Sequence, residues 1–176
     1  MIRGMTDAVP DKSSRESPFW RFSLRFYARP EVASACLELQ DRAGVDVNLM
    51  LFLLFLAEEK RVLTNDEVAR LDARIASWRA QVVMPLRDLR RRLKGGIGEV
   101  AQDLSEGLRN MVKRVELDAE RLEQGLLEAQ VAKLGTTATS RDTAAQTNLA
   151  AYGAFLGGLP EAPLQIVLAA FTTSPR

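Results

Sequence analysis

The stretch LMLFLLFLA, residues 49–57, is the most apolar part of the chain and decides its fold. Its nine residues are too few for a bilayer-spanning helix, which needs about 20 residues. Asp46 stands where a helix N-cap would accept a backbone N–H bond. We therefore expect a helix over residues 47–60, apolar on all sides apart from Asn48, around which the other helices pack.

The segments before this helix predict two shorter helices. Pro18 and Pro30 suit the first turn of a helix, and Gly44 suits the position just beyond a helix end. Residues 19–27 alternate between apolar and polar like a strand, but no other segment alternates and a lone strand is unstable. We expect helices over residues 18–28 and 30–43, preceded by a flexible tail of residues 1–17.

Two long helices with matching apolar stripes follow and predict an antiparallel hairpin. A capping box from Thr64 to Glu67 begins the first helix, residues 64–94, which Pro85 should kink. A glycine break separates it from the second helix, residues 98–134, and the opposite net charges of the two helices favour their pairing. We expect the hairpin seam to contain the stripe with spacings 4, 3, 4, 4, 3 and 4: Leu104, Leu108, Met111, Val115, Ala119, Leu122 and Leu126.

A segment rich in small residues, residues 135–176, completes the chain. Pro160 and Pro163 divide it into two short helical pieces, and its small residues recur at a four-residue spacing that lets helices approach closely. We expect this segment to pack either on the helical domain, residues 18–134, or on a partner. Its candidate apolar interface consists of Leu149, Tyr152, Phe155 and Leu156.

The composition excludes several kinds of chemistry. The 176 residues fit one domain, and 24 basic against 23 acidic residues leave no overall field that attracts nucleic acid. The absence of histidine excludes Ser-His-Asp hydrolysis, His-ligated zinc and haem on a proximal histidine. The single cysteine, Cys36, excludes an internal disulfide. Without an apolar stretch near the start, no signal peptide is expected and the protein is predicted to be cytoplasmic.

One candidate polar site lies at the start of the apolar helix. It consists of Asp46, Asn48 and Arg79. A buried asparagine without partners costs about 1–3 kcal/mol, so Asn48 must be hydrogen-bonded to something. An internal polar network is the favoured interpretation, and a small polar ligand is the alternative.

Two charged runs are further candidates. A possible anion or partner surface consists of Arg87, Arg90, Arg91, Arg92 and Lys94. No aromatic residue is interleaved with these cations, which favours a solvated helix face over phosphate or nucleic-acid binding. An acidic run is interpreted as another solvated face rather than a Mg²⁺ site, and it consists of Glu116, Asp118, Glu120 and Glu123.

Three stretches resemble a small proteobacterial family of helical proteins of unknown function. They are PFWRFSLRFYARPEVASACLELQDRAGVDVNLMLFLLFLA at 18–57, WRAQVVMPLRDLRRRLK at 78–94 and VKRVELDAERLEQ at 112–124. The resemblance covers residues 18–130 and is specific in residues 37–57, which include LQDRAGVDVNL. It implies a bacterial, cytosolic, all-helical domain, and it carries over no catalytic residues.

Together these observations predict an all-α helical bundle without catalytic residues, metal site or cofactor. The favoured function is a non-enzymatic helical interaction or scaffold protein, acting through a protein partner or self-association and without specific nucleic-acid binding. The alternative is a small apolar-ligand or lipid-associated binding protein, with a pocket beneath residues 49–57 and Asp46 and Asn48 at its wall. Peripheral lipid contact stays open. A Mg²⁺-dependent enzyme is least favoured.

Overall fold

Helix α3, Val47–Glu58, lies at the centre of the fold, as predicted, with nearly all of its apolar side chains buried. The computed structural model describes residues 17–174, apart from the side chain of Lys133. Of the tail expected over residues 1–17, only Ser17 falls within the described residues. The other helices are α1 (Pro18–Tyr27), α2 (Val32–Ala43), α4 (Asn65–Trp78), α5 (Met84–Arg92), α6 (Gln102–Glu128), α7 (Arg141–Leu156) and α8 (Glu161–Thr172). The fold class is all-α.

The helix termini follow the predicted capping chemistry. The Asp46 carboxylate accepts the backbone N–H of Leu49 at 2.9 Å and begins α3. Thr64 and Glu67 form the reciprocal capping box of α4. The kink expected at Pro85 is preceded by a π-helical turn, Arg79–Val83, which joins α4 to α5.

A short ladder, which the sequence patterns did not predict, fastens the end of the hairpin region to the loop after α3. Strand β1, Arg61–Val62, pairs antiparallel with strand β2, Thr136–Thr137. Gly135 has φ +75°, and a Cβ at this position would lie 2.9 Å from the carbonyl oxygen of Val62. The backbone approach therefore requires glycine.

Helix α7 packs on α3 and completes the core, so the small-residue segment lies on the domain. Asn148 is fully buried; its amide nitrogen donates to the carbonyls of Leu53 and Arg61 at 3.0 and 2.9 Å. Its oxygen accepts the N–H of Leu63 at 2.8 Å. Asn148 thus satisfies backbone groups at the turn where α3 ends.

The hairpin of α5 and α6 forms as predicted, but its seam differs from the expected one. The α6 stripe proposed for the seam is exposed at every position except Ala119. That prediction is wrong because charged side chains occupy the seam. Glu116 and Glu123 are buried, and α5 turns Arg87 and Arg90 toward the acidic face of α6. The charge pairing expected at the edges of the seam forms its centre.

Candidate functional site

A cavity of about 490 Å³ lies among α1, α2, α5 and α6, with the start of α3 at its base. Such a volume falls within the range of small-molecule sites. Its wall is apolar on the side of the shorter helices, where it is lined by Trp20, Leu24, Leu37 and Leu51. It is polar and charged where α5 and α6 meet. The cavity is therefore amphipathic.

A chain of hydrogen bonds among buried side chains ends at the cavity wall. The Ser23 hydroxyl donates to Oε1 of Gln124 at 3.2 Å, and Nε2 of Gln124 donates to Oδ1 of Asn48 at 2.8 Å. Asn48 is 8% exposed and lines the cavity. Within residues 17–174, no acceptor binds its amide nitrogen. Two N–H donors are therefore available to a molecule in the cavity.

An ion-pair cluster forms the charged part of the wall. Arg87 donates to Glu120 at 2.9 Å and to Gln40 at 2.7 Å, and it lies 3.4 Å from Glu116. Arg90 binds both carboxylate oxygens of Glu116. Burial raises the pKa of Glu120, and the adjacent Arg87 opposes that shift. The cluster is pre-formed, since each cation already has a fixed partner.

Cations outnumber carboxylates along the cavity wall. Besides the two arginines of the cluster, Arg91 and Lys113 line the cavity, and both residues are exposed to solvent. Arg91 lies 3.3 Å from Asp41, whereas Lys113 has no ion pair among the described residues. Among the described residues, the carboxylates that line the cavity are Glu116 and Glu120. The local field therefore favours an anion.

The predicted polar site is divided between two places. Asp46 and Arg79 do come together, with Nη1 of Arg79 lying 3.4 Å from Asp46 and 2.7 Å from Asp72. The backbone N–H of Asp46 also donates to the Tyr152 hydroxyl at 2.9 Å. Asn48, two residues further on, instead joins the cavity network. Asp46 and Arg79 are not among the cavity-lining residues.

Glu123 lies beside this Asp46 cluster, and its interpretation as part of a solvated acidic face is wrong. Its side chain is fully buried, and its two oxygens accept no hydrogen bond in the described part of the chain. Burial and the nearby charge of Asp46 raise the pKa of Glu123 to about 9. The row Glu116, Ala119, Glu123 and Leu127, spaced by three and four residues, is the sequence signal that could have predicted its burial.

The basic surface is likewise divided. Arg87 and Arg90 are ion-paired at the cavity, so the interpretation of a solvated face is wrong for these two residues. Arg91, Arg92 and Lys94 are exposed. In the acidic run, only Asp118 is well exposed. Within residues 17–174, no group of three His, Cys, Asp or Glu side chains is arranged to hold a metal ion.

The candidate apolar interface on α7 lies mostly inside the protein. Leu149 and Tyr152 are buried in the core, where they offer no surface to a partner. Phe155 is 41% exposed and stacks on Tyr152 with a centroid separation of 6.3 Å, and Leu156 is half-buried. The larger exposed apolar surface of this chain belongs to α6.

The fold and cavity define an all-helical domain with a formed amphipathic pocket. A family model described as a protein of unknown function, DUF2390, matches residues 18–127. The chain belongs to this family, which confirms the resemblance seen in the sequence. No curated protein and no solved structure matches the chain. Among residues 17–174, no helix is long and apolar enough to cross a membrane.

Proposed function

We propose that this protein binds a small amphipathic anion in the cavity among α1, α2, α5 and α6. The observation that carries the proposal is Asn48, whose amide N–H donors have no acceptor among the described residues although the side chain is 8% exposed. The amide nitrogen is not fully buried; it faces the open cavity, where a ligand oxygen can replace water as its acceptor. The ligand supplies that acceptor as its polar head.

The two sides of the cavity give the ligand its chemical class. An apolar chain fits against Trp20, Leu24 and Leu37, where contact with solvent is replaced by contact with side chains. A carboxylate or similar anionic head fits near Lys113 and the Arg87–Arg90 cluster. The pairing of both arginines with carboxylates limits the strength of this attraction, so the head is expected to bind Lys113 and Asn48 most directly.

Dodecanoate is a suitable probe because it combines an apolar chain with a carboxylate. We expect isothermal titration calorimetry with the purified chain to show one site per protomer. Asn48→Asp keeps an oxygen for Gln124 but replaces both N–H donors, and it should weaken binding by about tenfold or more. Leu37→Asp, at the exposed edge of the cavity, should also weaken binding.

The matched control is Asn110→Asp, an exposed position on α6 outside the cavity lining. Dodecyltrimethylammonium, which has the same apolar chain and a cationic head, should bind more weakly than dodecanoate. Equal binding of the two probes, or unchanged binding to the Asn48→Asp variant, would contradict the proposal. Native mass spectrometry of gently purified protein provides an independent measurement, because a retained natural ligand adds a mass that Asn48→Asp should remove.

The interaction or scaffold function favoured by the sequence stays a second candidate. The exposed apolar stripe of α6, which is the longest helix described, supports it. The proposal places either function in the bacterial cytoplasm, which suits a chain with one cysteine and no internal disulfide. Neither candidate involves catalysis.

A further inference from the structure

Helix α6 presents an apolar stripe to solvent. Its six side chains lie within a narrow angular sector of the helix, because their spacings alternate between three, four and seven residues. The exposed fractions are 72% for Leu104, 48% for Leu108, 50% for Met111, 53% for Val115, 58% for Leu122 and 38% for Leu126. Contiguous exposed apolar surface of this kind is typical of an interface.

Most of the stripe is symmetric about Val115, the exception being Met111, whose mirror position is the buried Ala119. Leu104 and Leu126 each lie 11 residues from Val115, and Leu108 and Leu122 each lie seven residues from it. In two antiparallel helices related by a twofold axis at Val115, Leu104 would face the partner's Leu126, and Leu108 would face the partner's Leu122. An interface between identical subunits requires this self-complementarity.

The solvent-side edge of the stripe is symmetric about residue 116, one residue from Val115. Arg114 and Asp118 flank this point, with Gly107 seven residues before Arg114 and Gly125 seven residues after Asp118. In an antiparallel pair with its axis at Val115, Arg114 would lie about 3 Å along the helix from the partner's Asp118, within reach of its long side chain, and this contact would occur twice. The Asp118 side chain is 64% exposed and lies 3.0 Å from Arg121 of the same helix, so the partner's Arg114 would share this carboxylate with Arg121. Arg114 has no ion pair within residues 17–174. A parallel pair would place Arg114 next to its own copy.

The two glycines support a close approach of another helix. Glycine is unfavourable inside a helix, yet Gly107 and Gly125 both lie within α6. A Cβ at either position would meet no atom within 4 Å, so nothing within the described chain requires glycine there. A partner backbone crossing at these positions would supply the reason.

We propose that α6 pairs with α6 of a second copy of this chain, forming an antiparallel homodimer with its twofold axis at Val115. The cavity stays accessible in this dimer. Leu117, which lines the cavity, is two residues from Val115 and therefore about 200° around the helix from it. The dimer is thus independent of the proposed ligand site.

A cysteine at the axis tests the geometry directly. Val115→Cys brings two thiols together across the twofold axis, so mild oxidation should join most of the protein into a disulfide-linked dimer. Lys113→Cys, exposed on the cavity side of α6, is the matched control and should cross-link much more slowly. The natural Cys36 is buried and does not interfere. Equal cross-linking rates for the two variants would overturn the proposed axis.

Charge reversal tests whether the partner is a second copy. Sedimentation equilibrium should give twice the 19.5 kDa chain mass for the natural protein. Arg114→Asp and Asp118→Arg should each weaken the dimer by about tenfold, since each places like charges opposite one another. The double variant recreates both ion pairs and should restore the natural affinity. Circular dichroism checks that all three variants stay folded.

The remaining outcomes overturn the dimer. If the protein stays monomeric at concentrations up to about 100 μM, self-association with a micromolar dissociation constant is excluded. The stripe would then be left to another partner. Failure of the double variant to recover would exclude the antiparallel register. Leu122→Glu should give a folded monomer that still binds dodecanoate, so the dimer and the ligand site can fail separately.

Discussion

The guanidinium of Arg90 binds both carboxylate oxygens of Glu116, and this contact joins α5 to α6. Arg90→Met keeps much of the side-chain volume but leaves Glu116, 5% exposed, with only the 3.4 Å contact from Arg87. We expect a loss of about 2 kcal/mol in the free energy of unfolding, measured by urea denaturation. Arg92→Met, at an exposed position of the same helix, should change it by less than about 0.5 kcal/mol. Equal effects of the two substitutions would show that the Arg90–Glu116 ion pair contributes nothing to the free energy of unfolding.

Glu123 should make the protein less stable as pH rises. Its pKa is about 9 in the folded chain against an ordinary value of 4.5, so unfolding releases a proton between these two values. The contribution of protonated Glu123 to the free energy of unfolding is fully present below pH 4.5. It falls by about 1.4 kcal/mol per pH unit as the pH rises from 4.5 to about 9. Glu123→Gln cannot titrate and should be more stable than the natural protein at pH 8.

Urea denaturation at pH 5, 6, 7 and 8 measures this difference. The gap between Glu123→Gln and the natural chain should widen steadily with pH. Glu99→Gln, at an exposed position, should follow the natural profile. A constant gap between the Glu123→Gln and natural profiles would mean that Glu123 is already ionised in the folded protein.

Asn148→Ala should be among the most destabilising single substitutions in α7. It removes the partners of three backbone groups, at Leu53, Arg61 and Leu63, beside the end of α3. We expect a loss of about 3 kcal/mol, seen as a lower midpoint in thermal unfolding. Asn110→Ala, exposed on α6, is the matched control and should leave the midpoint almost unchanged. A similar small change at both positions would contradict the role assigned to Asn148.

Cys36 should be unreactive in the folded protein. The thiol is fully buried, and burial raises its pKa to about 12, so almost no thiolate is present near neutral pH. Ellman's reagent should detect no free thiol in native protein and one per chain in urea. Rapid labelling without denaturant would show that α2 opens readily.

Local chemistry made much of the fold predictable. The apolar α3, the Asp46 cap and the Thr64–Glu67 capping box depend on residues close in sequence. The orientation of α6, in contrast, depends on residues far apart in sequence. Its leucine stripe and its glutamate row both follow helical spacing. Arginines of α5 neutralise Glu116 and Glu120, and the raised pKa of Glu123 keeps that buried side chain protonated. Arg87 and Glu120 are 33 residues apart, and no pattern within α6 indicates that pairing.

The candidate site was predictable only in part. Asn48 stood out as the polar residue within an apolar helix, and the candidate site grouped Asp46 with Arg79, which lie 3.4 Å apart. The hydrogen-bond partner of Asn48 is Gln124, 76 residues away, and periodicity gave no reason to connect them. The cavity itself arises from the spacing of four helices, which is set by packing rather than by any one segment.

The packing of α7 on α3 has a consequence for synthesis on the ribosome. The apolar helix is complete at Glu58, but α7, which covers one of its faces, begins only at Arg141. At about 5–20 residues per second, the intervening chain takes roughly 4–17 s to make. During that interval the face of this leucine- and phenylalanine-rich helix that α7 later covers lacks its partner, although α1 and α6 also pack on α3, and an exposed apolar face is the kind of surface that chaperones bind. A break in translation before Arg141 would therefore release an aggregation-prone fragment, even though the region matched by the family model, residues 18–127, would be complete.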